Sequence, residues 1–317
     1  MKNFFITGGA GFIGSSFVRL VLAETSDIAV TNFDVLTYAG DLANLDGVDP
    51  GRHTFIRGDI RDSAAVLAAM PDEADAVINF AAESHVDRSI ASATEFVSTN
   101  VGGTQVLLDA ARAKGVKRFC QISTDEVMGS LPEDPDRLFT ETSPLAPNSP
   151  YAASKAAAEH LVRAARRTFG LDTVVTRCGN NYGPRQFPEK LIPLTVARAL
   201  ANGPVPVYGD GRNVRDWIYV VDHCRAVLEV VERGRTGETY NIGARDQRRN
   251  IDVVTSILDA LGRPHSLIEF VGDRPGHDLR YAIDPSKIET GLGWRPLEPW
   301  SSGLQKTIDW HLARPQP

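Results

Sequence analysis

A short apolar run, Phe4 to Ile6, leads into TGGAGFIG and then into a helical pattern. No other stretch limits the fold of this chain so tightly. Gly8, Gly11 and Gly14 stand three residues apart between strand and helix. Glycines placed so let the backbone turn sharply and approach a pyrophosphate, whose charge a helix N-terminus favours. The spacing is G-x-x-G-x-x-G, not the commoner G-x-G-x-x-G, so context has to carry the argument. The next strand-like run, IAVTNFD, ends at Asp34, about twenty residues beyond the loop, where an acid hydrogen-bonds an adenosine ribose. An acid there favours NAD over NADP, because a 2′-phosphate would meet like charge. Asp59 and Ile60 follow the third strand, where an adenine contact is expected. A plain turn with a capping Asp is the alternative, and the joint register of strand, loop, helix and acid argues against it.

The strand–helix rhythm continues. Near-continuous apolar runs recur at 53–59, 75–82, 116–123 and 171–178 with helical patterns between most of them. Runs of this kind belong to strands covered on both faces, which implies a parallel sheet sandwiched by helices. After about residue 180, prolines and glycines cluster and shorter elements follow. We expect residues 1–178 to form the cofactor-binding domain and 179–317 mainly a smaller substrate-binding lobe, with some segments returning to the large domain. The chain of 317 residues is 42 % hydrophobic, enough for a sizeable core, and its net charge of −6 with no basic run speaks against nucleic acid. No apolar stretch approaches a membrane span, and the strand-like start leaves no room for a signal peptide. Cys120, Cys178 and Cys224 are odd in number, scattered and without a C-x-x-C, as for reduced core thiols in a cytoplasmic protein; no metal site is expected.

SPYAASKAAAEHLVRAARR reads as a helix with Pro150 near its start. Tyr151 and Lys155 are four apart and share one face. A free tyrosine ionises near pH 10, and lowering it to neutrality takes about 4 kcal/mol. A cationic lysine one turn away and a positive nicotinamide supply much of that. The tyrosine then takes the proton of a substrate hydroxyl while hydride leaves carbon. Between loop and helix, ISTDEVMGS places Ser123, Thr124 and two adjacent acids, Asp125 and Glu126, at a strand end. The plainer alternative is that the acids cap a turn, although one cap needs only one acid.

The motifs TGGAGFIGS, FAAESHVDRSI, STDEV, SPYAASKA, NNYGP, FPEKLIP, RDWIYVVDH and RPGHDLRYAID together resemble the dTDP-glucose 4,6-dehydratases, within the extended short-chain dehydrogenase/reductase superfamily. The resemblance implies a Rossmann-like, doubly wound α/β fold and a homodimer. It implies C4 oxidation of a nucleotide hexose, elimination of water across C5 and C6, and return of hydride to C6, with NAD as the cofactor. By resemblance Glu126 is the base at C5, Asp125 the acid at the C6 hydroxyl, and Thr124 a partner of the C4 oxygen beside Tyr151 and Lys155. Phe12, Ile13, Ala81, Ala82, Thr99 and Ser123 join the glycines, Asp34, Asp59, Ile60, Tyr151 and Lys155 as cofactor contacts. Glu83, Asn180, Lys190, Leu191, Pro206, Tyr208, Arg215, Asn250, Arg274 and His277 are the implied substrate contacts, the arginines matching phosphate positions. Asp222 reads as a helix N-cap, and His85 as a polar residue lining the cofactor.

The chain departs from the family pattern at Val35, Met128, Gly179, Arg185 and Leu279. Met128 stands for a usual Tyr, which trades a hydroxyl for a flexible apolar wall in the expected sugar–nucleotide pocket. A 4,6- or 5,6-dehydratase of another nucleotide sugar, such as a UDP-sugar, stays open beside dTDP-glucose. So does a nucleotide-sugar epimerase, which would not need both acids. A cofactor-sensing protein that lost catalysis would have little reason to keep Tyr151, Lys155, Asp125 and Glu126 together.

Overall fold

The computed structural model describes residues 1–313; the last four residues of the expected second segment, 314–317, lie outside them. Six strands alternate with helices in the first half: β1 Lys2–Thr7, β2 Ile28–Asp34, β3 His53–Arg57, β4 Ala76–Asn79, β5 Phe119–Thr124 and β6 Thr173–Cys178. The helices between them are α1 Phe12–Glu24, α2 Ser63–Ala69, α3 Val86–Ala91, α4 Thr94–Phe96, α5 Thr104–Ala113 and α6 Pro150–Phe169. The later segments give β7 Asn180–Tyr182, α7 Leu191–Leu200, β8 Val205–Tyr208, β9 Val214–Tyr219, α8 Val220–Arg233, β10 Thr239–Ile242, β11 Gln247–Arg249, α9 Asn250–Ala260, β12 Ile268–Val271, α10 Ser286–Leu292 and α11 Trp300–Leu312.

β1 to β6 and β10 form one seven-stranded parallel sheet in the order β10-β6-β5-β4-β1-β2-β3. This is a Rossmann-like doubly wound sheet, and its central strands are buried on both faces, as their unbroken apolar runs require. Phe17, Val18 and Val21 of α1 and Val227 and Val230 of α8 cover one face with Ile6, Ile78 and Cys120. Leu107 and Leu108 of α5 and Val162 of α6 cover the other with Phe5, Val77 and Phe119. β7, β9 and β11 make a small sheet backed by α7, α9 and α11, with Tyr182, Trp217, Ile192, Ile257 and Leu304 in its core. β8 and β12 pair separately.

Strand order reverses beside β1, and a chain of buried hydrogen bonds levels the strand ends there. Thr7 Oγ1 donates to Asn79 Oδ1 at 2.6 Å, and Asn79 Nδ2 donates to Gln121 Oε1 at 2.9 Å. A doubly wound sheet opens its ligand crevice at that point. Asp222 corrects an expectation. It lies inside the first turn of α8 and is not its cap; its carboxylate accepts the N–H groups of Leu297 and Glu298 and pairs with Arg225, pinning the segment before α11.

The first loop is held by contact distance. A Cβ on Gly14 would stand 2.2 Å from the Gly8 carbonyl oxygen and 2.9 Å from the Gly9 Cα, both backbone atoms that cannot swing away. Gly14→Ala is therefore expected to cost about 1–3 kcal/mol and to lower the cofactor content of the purified protein. Thermal melting with nucleotide analysis checks this; an unchanged melting temperature and full cofactor content would contradict it.

Candidate active site

The crevice is a cleft of about 410 Å³ along the C-terminal strand ends. Every residue expected to contact the cofactor lies on its wall: Gly8, Gly11, Phe12, Ile13, Gly14, Asp34, Asp59, Ile60, Ala81, Ala82, Thr99, Ser123, Tyr151 and Lys155. Gly8 has φ +71°, and a Cβ there would lie 2.5 Å from the Ala81 nitrogen, so the loop is pressed against the end of β4. Gly11 precedes α1 without a side-chain cap, and no acid occupies the first turn. Open amide donors and the positive end of the helix dipole face the cleft there, as a pyrophosphate requires. Asp34 is buried; its two oxygens accept the Ala10 and Leu36 N–H groups at 2.9 and 2.8 Å. Each oxygen keeps a lone pair for a ribose hydroxyl. Asp59 is engaged by Arg61 at 2.6 Å, which lowers its pKa, and Arg61 also reaches Glu95. These residues fit NAD.

At the inner end, β5 stops at Thr124 and the chain makes a tight 3₁₀ turn over Asp125–Met128. Thr124 Oγ1 accepts the Glu126 N–H and caps that turn, so neither acid is needed as a cap. Asp125 is only 1 % exposed, and its Oδ2 has no partner among the described residues. Burial first, then the charges of Glu126 and Asp216, push its pKa well above the usual carboxylate range. Burial raises Glu126 as well, but Arg215, Arg274 and Lys190 oppose the shift. The two acids are thus unequal: Asp125 is biased toward a proton donor, and Glu126 lies in the field of three cations.

Tyr151 and Lys155 are buried on α6, whose first turn is capped by Ser149 with Pro150 behind it. Lys155 Nζ donates to the Ile122 carbonyl at 2.6 Å. Burial first, then the charge of Glu126, pushes Tyr151 well above its ordinary value, and the nearby Thr124 hydroxyl opposes this only weakly. The expected lowering by Lys155 is not present in the protein by itself. Burial also brings Lys155 down to about 8, which weakens it as a fixed cation.

Of the expected substrate contacts, Glu83, Asn180 and Lys190 lie on the cleft wall. Leu191, Pro206, Tyr208, Arg215, Asn250, Arg274 and His277 do not, and belong to the lobe beyond it. Lys190 Nζ donates to the Ser84 carbonyl at 3.1 Å. Arg215 lies over the Tyr281 ring at 4.2 Å and donates to the Val214 and Asp278 carbonyls. Asp87 accepts from the Tyr208 hydroxyl at 2.9 Å and from Arg274 at 3.3 Å, joining the large domain to the lobe. His277 pairs with Asp273 at 2.6 Å, beside the Tyr208 ring. Asn250 opens α9 with its N–H on the Asn213 carbonyl. His85 is off the wall; its Nδ1 caps α3 by accepting the Arg88 N–H.

Sequence reasoning missed Asp87, Glu189, Gln186 and Phe187, and it took Cys178 for core alone. Cys178 is buried, yet it also lines the cleft. Met128 is a correction. It is off the wall, packs with Val127, Ala156 and Ile283, and places its sulfur 3.6 Å from Arg177 Nη1. The 3₁₀ turn aims it away from the cleft, so it forms no apolar pocket wall. Gly179 does line the cleft, and a Cβ there would meet the Asp216 carbonyl at 2.6 Å. Arg185 holds a left-handed φ of +73° off the wall, Val35 lies on the wall, and Leu279 donates its N–H to Ser130.

Comparison with known proteins agrees with this geometry. The family model described as GDP-mannose 4,6 dehydratase matches residues 5–307. The dTDP-glucose 4,6-dehydratase of Neisseria gonorrhoeae is 52 % identical over 333 residues, 98 % of this chain and 96 % of that one. The chain belongs to the dTDP-glucose 4,6-dehydratase family. Two solved members extend the likeness. DesIV of Streptomyces venezuelae, with NAD and TYD bound, is 49 % identical with a TM-score of 0.95, covering 98 % of this chain and 97 % of that one. The dTDP-glucose 4,6-dehydratase of Bacillus anthracis, in complex with NAD, is 43 % identical with a TM-score of 0.90, covering 99 % and 97 %. Among the described residues, no group of His, Cys, Asp and Glu is arranged to hold a metal ion, and no helix is long and apolar enough to cross a membrane.

The buried lysine gives a signed expectation. Its pKa of about 8 lies below the ordinary 10.5, so folding disfavours the charged form. The cost is full below pH 8 and fades as pH rises toward 10.5. Lys155→Met is expected to lose activity; it relieves a burial cost of about 3 kcal/mol near pH 7 and gives up the hydrogen bond to the Ile122 carbonyl, about 1 kcal/mol, for a net gain of about 2 kcal/mol that shrinks above pH 8. Melting curves across pH check the sign; a loss of stability at pH 7 would contradict it.

Proposed function

We propose that the protein is an NAD-dependent dTDP-glucose 4,6-dehydratase, a hydro-lyase that converts its substrate to the 4-keto-6-deoxy sugar. The observation that carries this is the pair of unlike acids, Asp125 and Glu126, set in one cleft beside Tyr151 and Lys155. An epimerase has no use for a protonated acid next to a second carboxylate.

Each residue has a task that its surroundings suit. Tyr151 takes the proton of the C4 hydroxyl, and Thr124 hydrogen-bonds the same oxygen. The glycine loop and Asp34 would hold NAD, which would supply the hydride chemistry needed at C4 and C6. The C4 ketone acidifies the hydrogen on C5, which Glu126 removes. Asp125, biased toward the protonated form by burial and its neighbours, gives its proton to the C6 hydroxyl, which leaves as water. C5 regains a proton from Glu126; Tyr151 gives up its proton to solvent and Asp125 takes one back from it, so the net change is loss of water. Lys155 steadies the ionised tyrosine, and Arg215, Arg274 and Lys190 supply charge for the diphosphate. The raised Tyr151 needs a further positive charge near it, which an oxidised nicotinamide would supply.

Residues 1–178 serve the cofactor and the later segments chiefly the substrate, apart from β10, α8 and α10, which pack on the large domain. A homodimer in the cytoplasm completes the reading. Exposed Ala153 and Ala164 of α6, with exposed Val97 on the neighbouring helical turn, offer small side chains to a second copy at the start and middle of the helix. Three free thiols suit a reducing compartment.

Label transfer and three variants test the chemistry. dTDP-glucose deuterated at C4 is expected to give a dehydrated product labelled at C6; label lost to solvent, or returned to C4 without loss of water, would overturn the reading. Asp125→Asn is expected to stall after oxidation and accumulate reduced cofactor on the enzyme, while Glu126→Gln oxidises C4 but exchanges the C5 proton slowly. Tyr151→Phe is expected to lose about 10²–10⁴-fold in turnover with the fold and cofactor content retained. Near-normal turnover would exclude it as the base.

A further inference from the structure

A second cavity, of about 230 Å³, lies on the far side of α6 from the cleft, between that helix, β6 and the edge strand β10. Its lining includes Arg163, Arg166, Arg167 and Arg177, with His160 beside them. Arg163 and Arg167 share a face of the helix with His160, and all three are exposed. Two carboxylates also border the cavity, and each already has a cation. Glu159 is held by buried Arg177 at 2.7 Å, and Glu238 by Lys287 at 2.8 Å. Arg163, Arg166 and Arg167 make no ion pair with a carboxylate among the described residues. The local charge is therefore left positive in a chain whose net charge is −6.

The cavity is shaped around this charge. Gly237 turns with φ +79°, and a Cβ there would overlap the Arg166 guanidinium, at 1.8 Å from Nη1 and 2.1 Å from Cζ. A side chain at that position would push the Arg166 guanidinium out of its place beside the turn. Guanidinium groups converging on a small concave space match the oxygens of a phosphate in fork geometry. The volume suits one or two phosphoryl groups and excludes a helix or strand of a partner.

We infer that this cavity is a binding site for a small phosphate-class anion, phosphate or diphosphate, separate from the substrate cleft. Arg163 and Arg167 close over the anion from solvent, Arg166 meets it from the Gly237 side, and Arg177 forms the floor. The site depends on none of the roles assigned above. Arg177 also lies against Met128 at the end of the acid turn, so the floor of the cavity and the back of the turn share one side chain.

The test uses protein saturated with NAD and thymidine diphosphate, which fill the cleft. Inorganic pyrophosphate is titrated by calorimetry, with ADP as a second arm. Saturable binding of pyrophosphate is expected, weakened about tenfold or more in Arg163→Ala/Arg167→Ala and also in Arg166→Gln made alone. Equal binding of ADP would identify the diphosphate end of a nucleotide as the ligand. Binding of pyrophosphate alone would identify a free anion, and both results support the site. No saturable heat on the cleft-saturated protein, or binding unchanged in both variants, would overturn it.

Discussion

The hydrogen bond from Lys155 to the Ile122 carbonyl fixes two elements that have to act together. α6 carries the tyrosine and β5 delivers the acid turn, and the bond sets one against the other. The lysine reaches it only by being buried, and burial keeps the donor from being shared with water. Secondary contacts hold the same register. Ser154 donates to the Tyr151 carbonyl, and Asn100 donates to Ser154 from the neighbouring helical segment. Thr124 then serves twice, accepting the Glu126 N–H that caps the acid turn and donating to the Asp125 carboxylate.

Adjacency in sequence does not give the two acids the same surroundings. In a 3₁₀ turn successive side chains diverge by about 120°, so neighbours look into different parts of the protein. Asp125 looks toward Asp216 and is buried without a cation close enough to overcome it. Glu126 looks toward the arginines and lysine of the substrate lobe. Two groups of similar intrinsic acidity are separated by environment alone, which is how one site holds an acid and a base at the same pH.

Much of this was legible in the chain. The glycine loop, Asp34 and the alternating runs carry local signals of turn geometry and burial, and the parallel sheet and the cofactor wall follow from them. The helical spacing of Tyr151 and Lys155 is likewise local. What was not legible depends on how distant segments meet. The direction of Met128 is decided by the phase of a four-residue turn, not by its motif. Asp222 looked like a cap because its partners, Leu297 and Glu298, are more than seventy residues away. Asp87 joins Tyr208 and Arg274 across a lobe boundary that no periodicity marks. The fall of Lys155 and the rise of Tyr151 come from burial, which a spacing rule does not measure.

β10 has a consequence for how the molecule is made. It joins the large sheet at the open side of β6, and its residues lie more than sixty positions later in the chain. Until Ile242 has emerged from the ribosome, β6 presents a bare row of amide and carbonyl groups along its length. Unpaired strand edges of that kind invite pairing with other chains. The nascent first half is thus a sheet with an unfinished border, and this late closure adds to a contact order already raised by the pairing of β1 with β4, whose partners Phe4 and Ala76 are far apart in the chain. Synthesis of the lobe segments β7, α7, β8, β9 and α8 delays that closure, so the order of translation leaves the Tyr–Lys side of the sheet as the last border to be sealed.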